Sequence, residues 1–335
     1  MRRLFLLTLL VFLTACSYQV KDSLLSLGYS EEDVVKIREL DESVQTYFES
    51  SYNKQLLDYL NNENFEASNM SDYLKYSEYG DTDTVIFLVN NGYFNNELTV
   101  DLFKDKWFIM DNLDTYLKYG EVISDVRSLV EYVNTRAYLK DYEDYKEADT
   151  DKGNLIIANK LSYLGDYVPD DLVNVDGGYC MQDGVMLKSE AYEHLKQMFE
   201  AAREEDYYFY ISTAYRSYDF QKALYDSYLL KDSAEVVDSY SSRPGFSDHQ
   251  TGLACDIGMP GYKFEMFTDT DECRWLHENA YKYGFILRYP EGKENITKYK
   301  YESWHFRYVG VEVSTYIYEN NITLEEYVAY FGGNK

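Results

Sequence analysis

The sequence predicts an α+β fold: a small antiparallel sheet with flanking helices in the second half, preceded by a mainly helical repeat region. In the second half, strand-like and helical segments do not alternate as βαβ units, which disfavours a parallel sheet. In the first half, apolar residues recur at helical spacing and a tyrosine block returns along the chain. No linker rich in Pro, Gly or Ser separates the halves. We therefore place the boundary at the charged run near Asp149–Asn154, which gives regions 16–150 and 151–335.

The first residues, 1–15, are typical of an export signal and not of a folded domain. The apolar run from Leu4 to Leu13 is too short to span a bilayer. It ends in L-T-A-C at Cys16, which resembles a bacterial lipobox and implies cleavage before a lipid-modified cysteine. Two acyl chains on Cys16 would anchor the protein stably, where one is marginal. We expect a lipoprotein on the extracytoplasmic face of the bacterial cell membrane; an ordinary secretory signal with a chance cysteine is the alternative.

Residues from 20 to about 150 are predicted to be helical. The block S-E-E-D at 30–33 resembles a helix start. Apolar residues follow it at helical spacing: Val34, Ile37, Leu40, Val44, Tyr47 and Phe48. The block Y-L-K-Y at 73–76 recurs at 116–119, and more weakly as Y-E-D-Y at 142–145. Because each block precedes an apolar run that ends in asparagine, we predict one supersecondary unit that stacks on its neighbours to bury a shared core.

The composition limits the classes of partner. The formal charge is −27 with Arg2 and Arg3 included, so a chain without its first residues is more acidic still. Such an acidic surface disfavours binding to nucleic acid and electrostatic adhesion to anionic lipid. With 45% hydrophobic and 17% aromatic residues, the chain can bury a substantial core. The 38 tyrosines fit either codon bias or faces that stack on sugars.

Three cysteines follow Cys16 in the sequence: Cys180, Cys255 and Cys273. An odd number excludes complete intramolecular pairing, and the sequence has no C-x-x-C pair, so neither a disulfide framework nor a cysteine zinc site is indicated. We expect buried free thiols. A Cys255–Cys273 bridge is the alternative.

The second half is predicted to contain helices and short strands in mixed order. The elements are a helix over 187–205, a strand over 207–213, a helix over 219–230, an irregular loop over 239–248, a helix over 272–283, and strands over 285–289 and 305–309. The block T-L-E-E at 323–326 is a capping box that opens a last helix to about Phe331. The strands are expected to form the small sheet of the fold class.

Two of the four histidines lie in short blocks that also carry carboxylates. His249, Asp256 and His305 offer two imidazoles and one carboxylate, a ligand set that suits Zn2+ and leaves a fourth position open for water. Glu302 lies three residues before His305, so it can reach that water without being a ligand. A bound metal lowers the pKa of the water toward ~7, and a nearby carboxylate can then take its proton. The pattern therefore predicts a zinc hydrolase.

The spacing of these residues has a physical meaning. A turn at Gly252 followed by an extended run would direct Asp256 toward the cleft and its neighbours toward the core, because side chains alternate along a strand. In a fully extended segment, Glu302 and His305 would point to opposite faces. A bulge or bend at Ser303-Trp304 is therefore required to bring both toward the metal.

These blocks resemble those of VanY-type D-alanyl-D-alanine carboxypeptidases, zinc enzymes of the LAS superfamily. The blocks are S-D-H-Q-T-G-L-A-C-D at 247–256 and E-S-W-H at 302–305, with further matches in Y-R-S at 215–217 with Gln221, Y-G-F-I-L-R-Y-P at 283–290 and W-H-F-R-Y-V-G at 304–310. The resemblance covers about half of the chain, roughly 154–331. It implies an α+β peptidase domain with zinc in a cleft on the sheet.

Arg216 follows the strand predicted over 207–213. A zinc peptidase needs positive charge for the tetrahedral oxyanion, and a carboxypeptidase needs it for the terminal carboxylate; a guanidinium suits both through its fork of donors. The resemblance implies that role for Arg216, with a structural salt bridge as the alternative. Gln221 and Ser247 are predicted polar contacts to the substrate, with local capping as the alternative.

The expected function is a zinc-dependent carboxypeptidase that removes the C-terminal D-alanine from peptidoglycan stem peptides. Glu302 would take a proton from the water and return it to the leaving D-alanine, and Arg216 would hold the oxyanion. An L,D-carboxypeptidase acting on tetrapeptide stems is the closest alternative. From another class, the alternative is a non-catalytic cell-wall-binding lipoprotein with a structural metal site. Region 16–150 would be a stand-off or wall-binding arm, or a helical spacer without ligands.

Overall fold

The computed structural model describes residues 23–180, 182–259 and 261–332. The chain divides into two units, Met1–Phe108 and Ile109–Lys335. Within the described ranges, no helix is both long enough and apolar enough to cross a membrane. The predicted signal segment, residues 1–15, and the lipidation candidate Cys16 lie outside the described residues.

The described part of the first unit is built from helices: α1 Glu31–Arg38, α2 Glu42–Glu49, α3 Lys54–Leu60, α4 Met70–Lys75, α5 Thr82–Asn90 and α6 Glu97–Lys104. The predicted helix start at 30–33 is confirmed, because the Asp33 amide donates to the Ser30 side chain while the Ser30 amide donates to the Asp33 carboxylate. Apolar residues of α1 and α2 form one buried cluster with Leu24: Val34, Ile37, Val44 and Phe48. The helical spacing in the sequence thus marks the buried face at these four positions, whereas Leu40 is partly buried and Tyr47 is exposed.

A buried tyrosine joins α4 to α5 in the first unit. The Tyr73 hydroxyl donates to Asn90 Oδ1 at 2.5 Å and accepts from the Glu66 amide at 3.1 Å. Asn69 Nδ2 donates to the same Asn90 oxygen at 3.1 Å. The tyrosine of the Y-L-K-Y block and the asparagine that ends the following apolar run are therefore one hydrogen-bonded unit.

The second unit begins with two helices and continues with mixed strands and helices. Its elements are α7 Leu113–Gly120, α8 Val126–Asn134, β1 Lys146–Glu147, β2 Ser162–Tyr163, β3 Leu172–Asn174, β4 Met186–Lys188, α9 Ser189–Glu204, β5 Tyr210–Thr213, α10 Tyr218–Leu229, α11 Ala234–Val237, β6 Ala254–Gly258, α12 Phe264–Phe267, α13 Asp271–Asn279, β7 Phe285–Leu287, α14 Glu294–Thr297, β8 His305–Tyr308, α15 Val311–Asn320 and α16 Leu324–Phe331. Most of the predicted elements are present with shifted ends; the strand predicted from Tyr207 begins at Tyr210. The capping box of Thr323 and Glu326 is confirmed.

The tyrosine–asparagine unit occurs again on α7 and α8. The Tyr116 hydroxyl donates to Asn134 Oδ1 and accepts from the Ile109 amide at 3.3 Å, and Asn112 Nδ2 donates to the same Asn134 oxygen at 3.0 Å. In both copies the amide donor lies seven residues before the tyrosine and the first asparagine four residues before it, while the acceptor asparagine lies 17 residues after it in the first copy and 18 in the second. The two Y-L-K-Y blocks therefore form the same local structure.

The third and weaker block, at 142–145, has a different structure. It lies in a turn, where Tyr142 has a φ of 62° and its amide donates to the Lys160 carbonyl. The first two copies share a left-handed residue after the asparagine, Gly92 with φ 70° and Arg136 with φ 60°. The recurrence of this local structure is therefore observed for two blocks and not for the third.

The second unit starts earlier than the boundary predicted near Asp149–Asn154, because residues 109–150 pack onto the elements that follow. Helix α8 contacts both α14 and α16. Lys293 Nζ lies 3.2 Å from Glu131 Oε2, and Lys298 Nζ donates to the Ala137 carbonyl at 2.6 Å. These pairs join residues far apart in sequence, which composition along the chain does not reveal.

The main sheet of the second unit has the strand order β5-β6-β8-β7, and its neighbouring strands are antiparallel. The prediction of a small antiparallel sheet with flanking helices is confirmed. In the β6–β8 register, Asp256 pairs with His305 and Cys255 with Phe306. Alternate residues of β6 enter the core with helix α9, including Cys255 and Ile257. Cys180, Cys255 and Cys273 are buried and free, as expected.

Candidate active site

Three side chains converge at the two inner strands of the main sheet and the turn that precedes β6. His249 belongs to a 3-10 turn over Asp248–Thr251, Asp256 to β6 and His305 to β8. His249 Nε2 lies 3.5 Å from Asp256 Oδ1, and His305 Nδ1 lies 3.2 Å from the same oxygen. One donor atom from each residue lies within 4.8 Å of the others. The structure therefore brings together the three predicted ligands.

Gly252 makes the turn between His249 and the strand that carries Asp256. Its φ is +69°, in the left-handed region that favours glycine. A Cβ at this position would lie 2.9 Å from Leu172 Cδ2, so a larger residue would also clash with the neighbouring ladder. The predicted turn at Gly252 is confirmed and sets the chain direction into β6.

Each histidine is held by the ring nitrogen that points away from the cluster. His249 Nδ1 lies 2.8 Å from the Ala214 carbonyl oxygen, which only accepts, so Nδ1 carries the hydrogen and Nε2 presents its lone pair. His305 Nε2 lies 3.2 Å from Asp248 Oδ2, while its Nδ1 faces Asp256. The two rings thus present different nitrogens to one point.

The electrostatic environment attracts a positive charge. Burial lowers the pKa of His249 to about 4, so this ring is neutral at neutral pH. Burial would raise the pKa of the Asp256 carboxyl, but the two histidines hold it below its usual range. Burial would lower the pKa of His305, but the carboxylates of Asp248, Asp256 and Glu302 close to its ring raise it well above its ordinary value. The carboxylates around His305 therefore favour a proton or a metal cation at this point.

The arrangement fits a zinc ion. Asp256 Oδ1 is buried and has no hydrogen-bond partner among the described residues, although both histidine rings are close. A buried carboxylate oxygen without a partner is costly, and a cation among the three donors relieves that cost. Two imidazole nitrogens and one carboxylate oxygen are a donor set that Zn2+ accepts, with a further direction open toward the cleft.

Glu302 lies beside the cluster without belonging to the donor set. Its Oε2 is 3.4 Å from His305 Nδ1, and the side chain is 21% exposed, so it is open to solvent in the cleft. The chain turns at Ser303-Trp304, where the His305 amide donates to the Glu302 carbonyl at 3.3 Å. The bend predicted there is confirmed, and it places Glu302 on the same side as His305.

Arg216 reaches the same cleft from the chain that follows β5. Its amide donates to the His249 carbonyl at 3.2 Å, which fixes the segment next to the metal-ligand candidate. Its Nε is buried and has no hydrogen-bond partner among the described residues. Burial lowers the pKa of this guanidinium although Asp256 and Glu302 are near. A cationic fork with a free donor is suited to an anionic group of a ligand.

The cleft has a volume of about 190 Å3. It is lined by Arg216, Leu224, Tyr228, Tyr240, Ser241, Ser242, Ser247, Asp248, His249, Asp256, Tyr289, Tyr299, Glu302, Trp304 and His305. Ser247 is in this wall, as the substrate-contact prediction requires. Gln221 is not: it is buried, and its Nε2 donates to the Ser242 carbonyl at 2.7 Å, so it holds the loop that lines the cleft.

Two residues that contact His305 were not predicted from the sequence. Asp248 hydrogen-bonds to His305 Nε2, and the ring of Tyr289 lies 4.7 Å from the imidazole, centroid to centroid. Asp248 adjoins His249 in the sequence, but its partners come from distant segments. The one available signal was an acidic residue inside the histidine block. The fold and the site together define a metal-dependent peptidase domain of the LAS type.

This chain belongs to the VanY family of D-alanyl-D-alanine carboxypeptidases, whose family model matches residues 184–311. The D-alanyl-D-alanine carboxypeptidase of Enterococcus faecalis (strain ATCC 700802 / V583) is 32% identical over 192 residues, which are 55% of this chain and 68% of that protein. YodJ of Bacillus subtilis (strain 168), which carries a provisional carboxypeptidase name, is 43% identical over 180 residues. That alignment covers 52% of this chain and 66% of YodJ, just under two thirds of its length.

The chain is also similar to the solved structure of the LdcB LD-carboxypeptidase, which reveals the molecular basis of peptidoglycan recognition by that enzyme. It shares 39% sequence identity and a TM-score of 0.53, and the match covers 57% of this chain and 93% of that chain. The relatives therefore include both D-alanyl-D-alanine carboxypeptidases and an LD-carboxypeptidase.

Proposed function

We propose that this protein is a zinc-dependent carboxypeptidase that removes the C-terminal D-alanine from peptidoglycan stem peptides. The observation that carries the proposal is the convergence of His249, Asp256 and His305 with a non-ligand carboxylate, Glu302, beside them. Membership of the VanY family supports the same substrate class. A purely structural metal site would have no need of Glu302.

His249, Asp256 and His305 would hold the zinc ion, which when bound acts as a Lewis acid and lowers the pKa of a water toward ~7. Glu302 accepts a proton from the attacking water as the water oxygen adds to the last peptide carbonyl. The same carboxylate then delivers that proton to the amide nitrogen as the C–N bond breaks, so the D-alanine leaves as an amine. Glu302 is thus unchanged at the end of the cycle.

The Arg216 guanidinium supplies the positive charge that this reaction needs. Its buried Nε has no hydrogen-bond partner among the described residues, so it is free to donate to the oxyanion or to the terminal carboxylate of the substrate. Ser247 in the cleft wall is a polar contact for the stem peptide, and Gln221 acts on the substrate only through the Ser242 loop.

The closest alternative is an L,D-carboxypeptidase that acts on tetrapeptide stems, and the similarity to LdcB favours it as the second candidate. Product analysis on defined pentapeptide and tetrapeptide muropeptides separates the two. If D-alanine is released only from the pentapeptide stem, the D,D activity is supported. If D-alanine is released only from the tetrapeptide stem, the D,D activity is contradicted. A chelator should abolish either activity, and added zinc should restore it.

A non-catalytic cell-wall-binding protein with a structural metal is the alternative from another class. It predicts protein that binds zinc and muropeptide without hydrolysing either stem. The same assay therefore decides it: stoichiometric zinc with no released D-alanine would overturn the catalytic proposal.

The location of the protein is part of the proposal. We infer that residues 1–15 are removed and that lipid-modified Cys16 anchors the chain on the extracytoplasmic face of the membrane, where peptidoglycan is found; this rests on the L-T-A-C block. Cells that express the full chain should incorporate labelled palmitate into it, and the Cys16→Ser variant should not. Equal labelling of both would contradict the anchor.

A further inference from the structure

Asp248 is a buried carboxylate beside His305, in the wall of the cleft. It is 1% exposed and does not belong to the metal-donor set. Its Oδ2 lies 3.2 Å from His305 Nε2, the ring nitrogen that faces away from Asp256. A carboxylate in this place can act on His305 without being a metal donor itself.

We propose that Asp248 is the positioning residue for the metal ligand His305, and this rests on the proposed zinc site. An ionised carboxylate only accepts hydrogen bonds, so the His305 Nε2 beside it carries the hydrogen when the ring is neutral. The lone pair is then on Nδ1, which lies 3.2 Å from Asp256 Oδ1 and faces the donor cluster. Carboxylates that hold a ligating histidine in this way fix its tautomer and raise its basicity.

The surroundings of Asp248 prevent it from turning away. Arg307, two residues beyond His305, donates from Nη1 to Asp248 Oδ1, and Arg288 Nε lies 3.7 Å from Oδ2. Arg307 is held in turn by the carbonyls of Asn154 and Ile156, at 3.0 and 2.6 Å.

Arg288 is fixed by a second carboxylate, farther from the site. Its two terminal nitrogens bind Glu325 at 2.9 and 2.6 Å, and Glu325 lies in the first turn of helix α16. The buried charged groups thus form a continuous series of contacts from Glu325 in α16, through Arg288 and Asp248, to the metal ligand His305. If Asp248 only neutralises the two arginines, loss of its charge and loss of the Glu325 charge should have the same effect on zinc affinity. If Asp248 positions His305, loss of its charge should weaken zinc binding and loss of the Glu325 charge should not.

The test compares Asp248→Asn with Glu325→Gln, because both remove one negative charge from the same buried cluster and only the first contacts His305. Zinc affinity is measured without substrate, by competition with a chromophoric chelator. We expect zinc binding to weaken about 10- to 100-fold in D248N and to stay near the wild-type value in E325Q. Circular dichroism and urea unfolding report how much each variant loses in stability.

Equal zinc affinities in D248N and wild type, or equal losses in D248N and E325Q, would overturn the positioning role. If D248N does not fold, nitrogen chemical shifts of the imidazoles in zinc-loaded wild-type protein decide the question. We expect His305 to be protonated at Nε2 and His249 at Nδ1; a His305 ring protonated at Nδ1 would overturn the proposal. If wild type binds zinc but releases no D-alanine, the proposed function fails while the role of Asp248 is still decided by affinity and tautomer.

Discussion

Buried polar groups have opposite roles in the tyrosine–asparagine units and in the cleft. In the unit around Tyr116, the hydroxyl both donates to Asn134 and accepts from the Ile109 amide. In the cleft, Asp256 Oδ1 and Arg216 Nε are buried without a hydrogen-bond partner among the described residues. In the tyrosine unit, the polar atoms find hydrogen-bond partners within the protein. In the cleft, one anionic and one cationic group are left to bind a metal ion or a substrate.

This difference separates stability from function. A satisfied buried network contributes to the fold, and breaking it costs free energy. An unsatisfied buried charge costs stability in the free protein and is retained for the ligand that it binds. Substitutions in the cleft should therefore change activity more than stability, and substitutions in the tyrosine units should do the reverse.

The largest effect is expected from Glu302→Gln. The variant keeps the shape of the side chain but cannot accept the proton, so turnover should fall by about 10²- to 10⁴-fold. Zinc content should remain at the wild-type level, because Glu302 is outside the donor cluster. Glu291→Gln, at an exposed position outside the cleft lining, is the matched control and should keep its activity. Unchanged turnover in E302Q would remove Glu302 from the mechanism.

Arg216→Ala should lower kcat/KM by about 10²- to 10³-fold, because a preorganised donor to the oxyanion is lost. Its unfolding free energy should stay the same or rise, since the variant removes a cation whose buried Nε has no hydrogen-bond partner among the described residues. Arg216→Lys should recover only part of the activity, because lysine lacks the guanidinium fork. Arg274→Ala, at an exposed surface pair, is the control. A large loss of stability in R216A would show that Arg216 is structural.

Tyr116→Phe and Tyr73→Phe should have the opposite pattern. Each removes a hydroxyl that donates to asparagine and accepts from a backbone amide, so we expect about 1–3 kcal/mol less stability. The turnover of the folded protein should not change. Tyr208→Phe, whose tyrosine is 57% exposed, is the control for loss of a hydroxyl. Wild-type stability in both variants would mean that these units do not hold the helices together.

The smallest effect is expected from Gln221→Ala. The lost hydrogen bond to the Ser242 carbonyl should cost about 1 kcal/mol of stability. Because that loop lines the cleft, KM should rise while kcat stays near wild type. Gln197→Ala, at an exposed position of α9, is the control. A loss in kcat comparable to that of R216A would instead place Gln221 in direct contact with the reacting groups.

The metal-ligand candidates could be predicted because their residue types are rare and their spacing is short. With only four histidines in the chain, two of them in acidic blocks, few combinations needed to be considered. The alternation along a strand and the need for a bend at Ser303-Trp304 then followed from backbone geometry. The structure contains both features.

The remaining features depend on contacts between distant residues. Asp248 is positioned by Arg307 and Arg288, about forty to sixty residues later in the chain, and no local pattern indicates such a pair. The early start of the second unit depends in the same way on Glu131 and Lys293. The Y-E-D-Y block matches the earlier copies in letters, but the left-handed conformation of Tyr142 excludes a helix there.

The pairing of Asp256 with His305 across β6 and β8 has a consequence for how the chain folds. A shift of one residue between these strands would turn one of the two side chains to the opposite face of the sheet. A chain with that error could not complete the donor set. Binding of the ion would therefore stabilise only the sheet with the correct strand register, and not a sheet with shifted strands. The metal would thus also favour the correct pairing of β6 with β8.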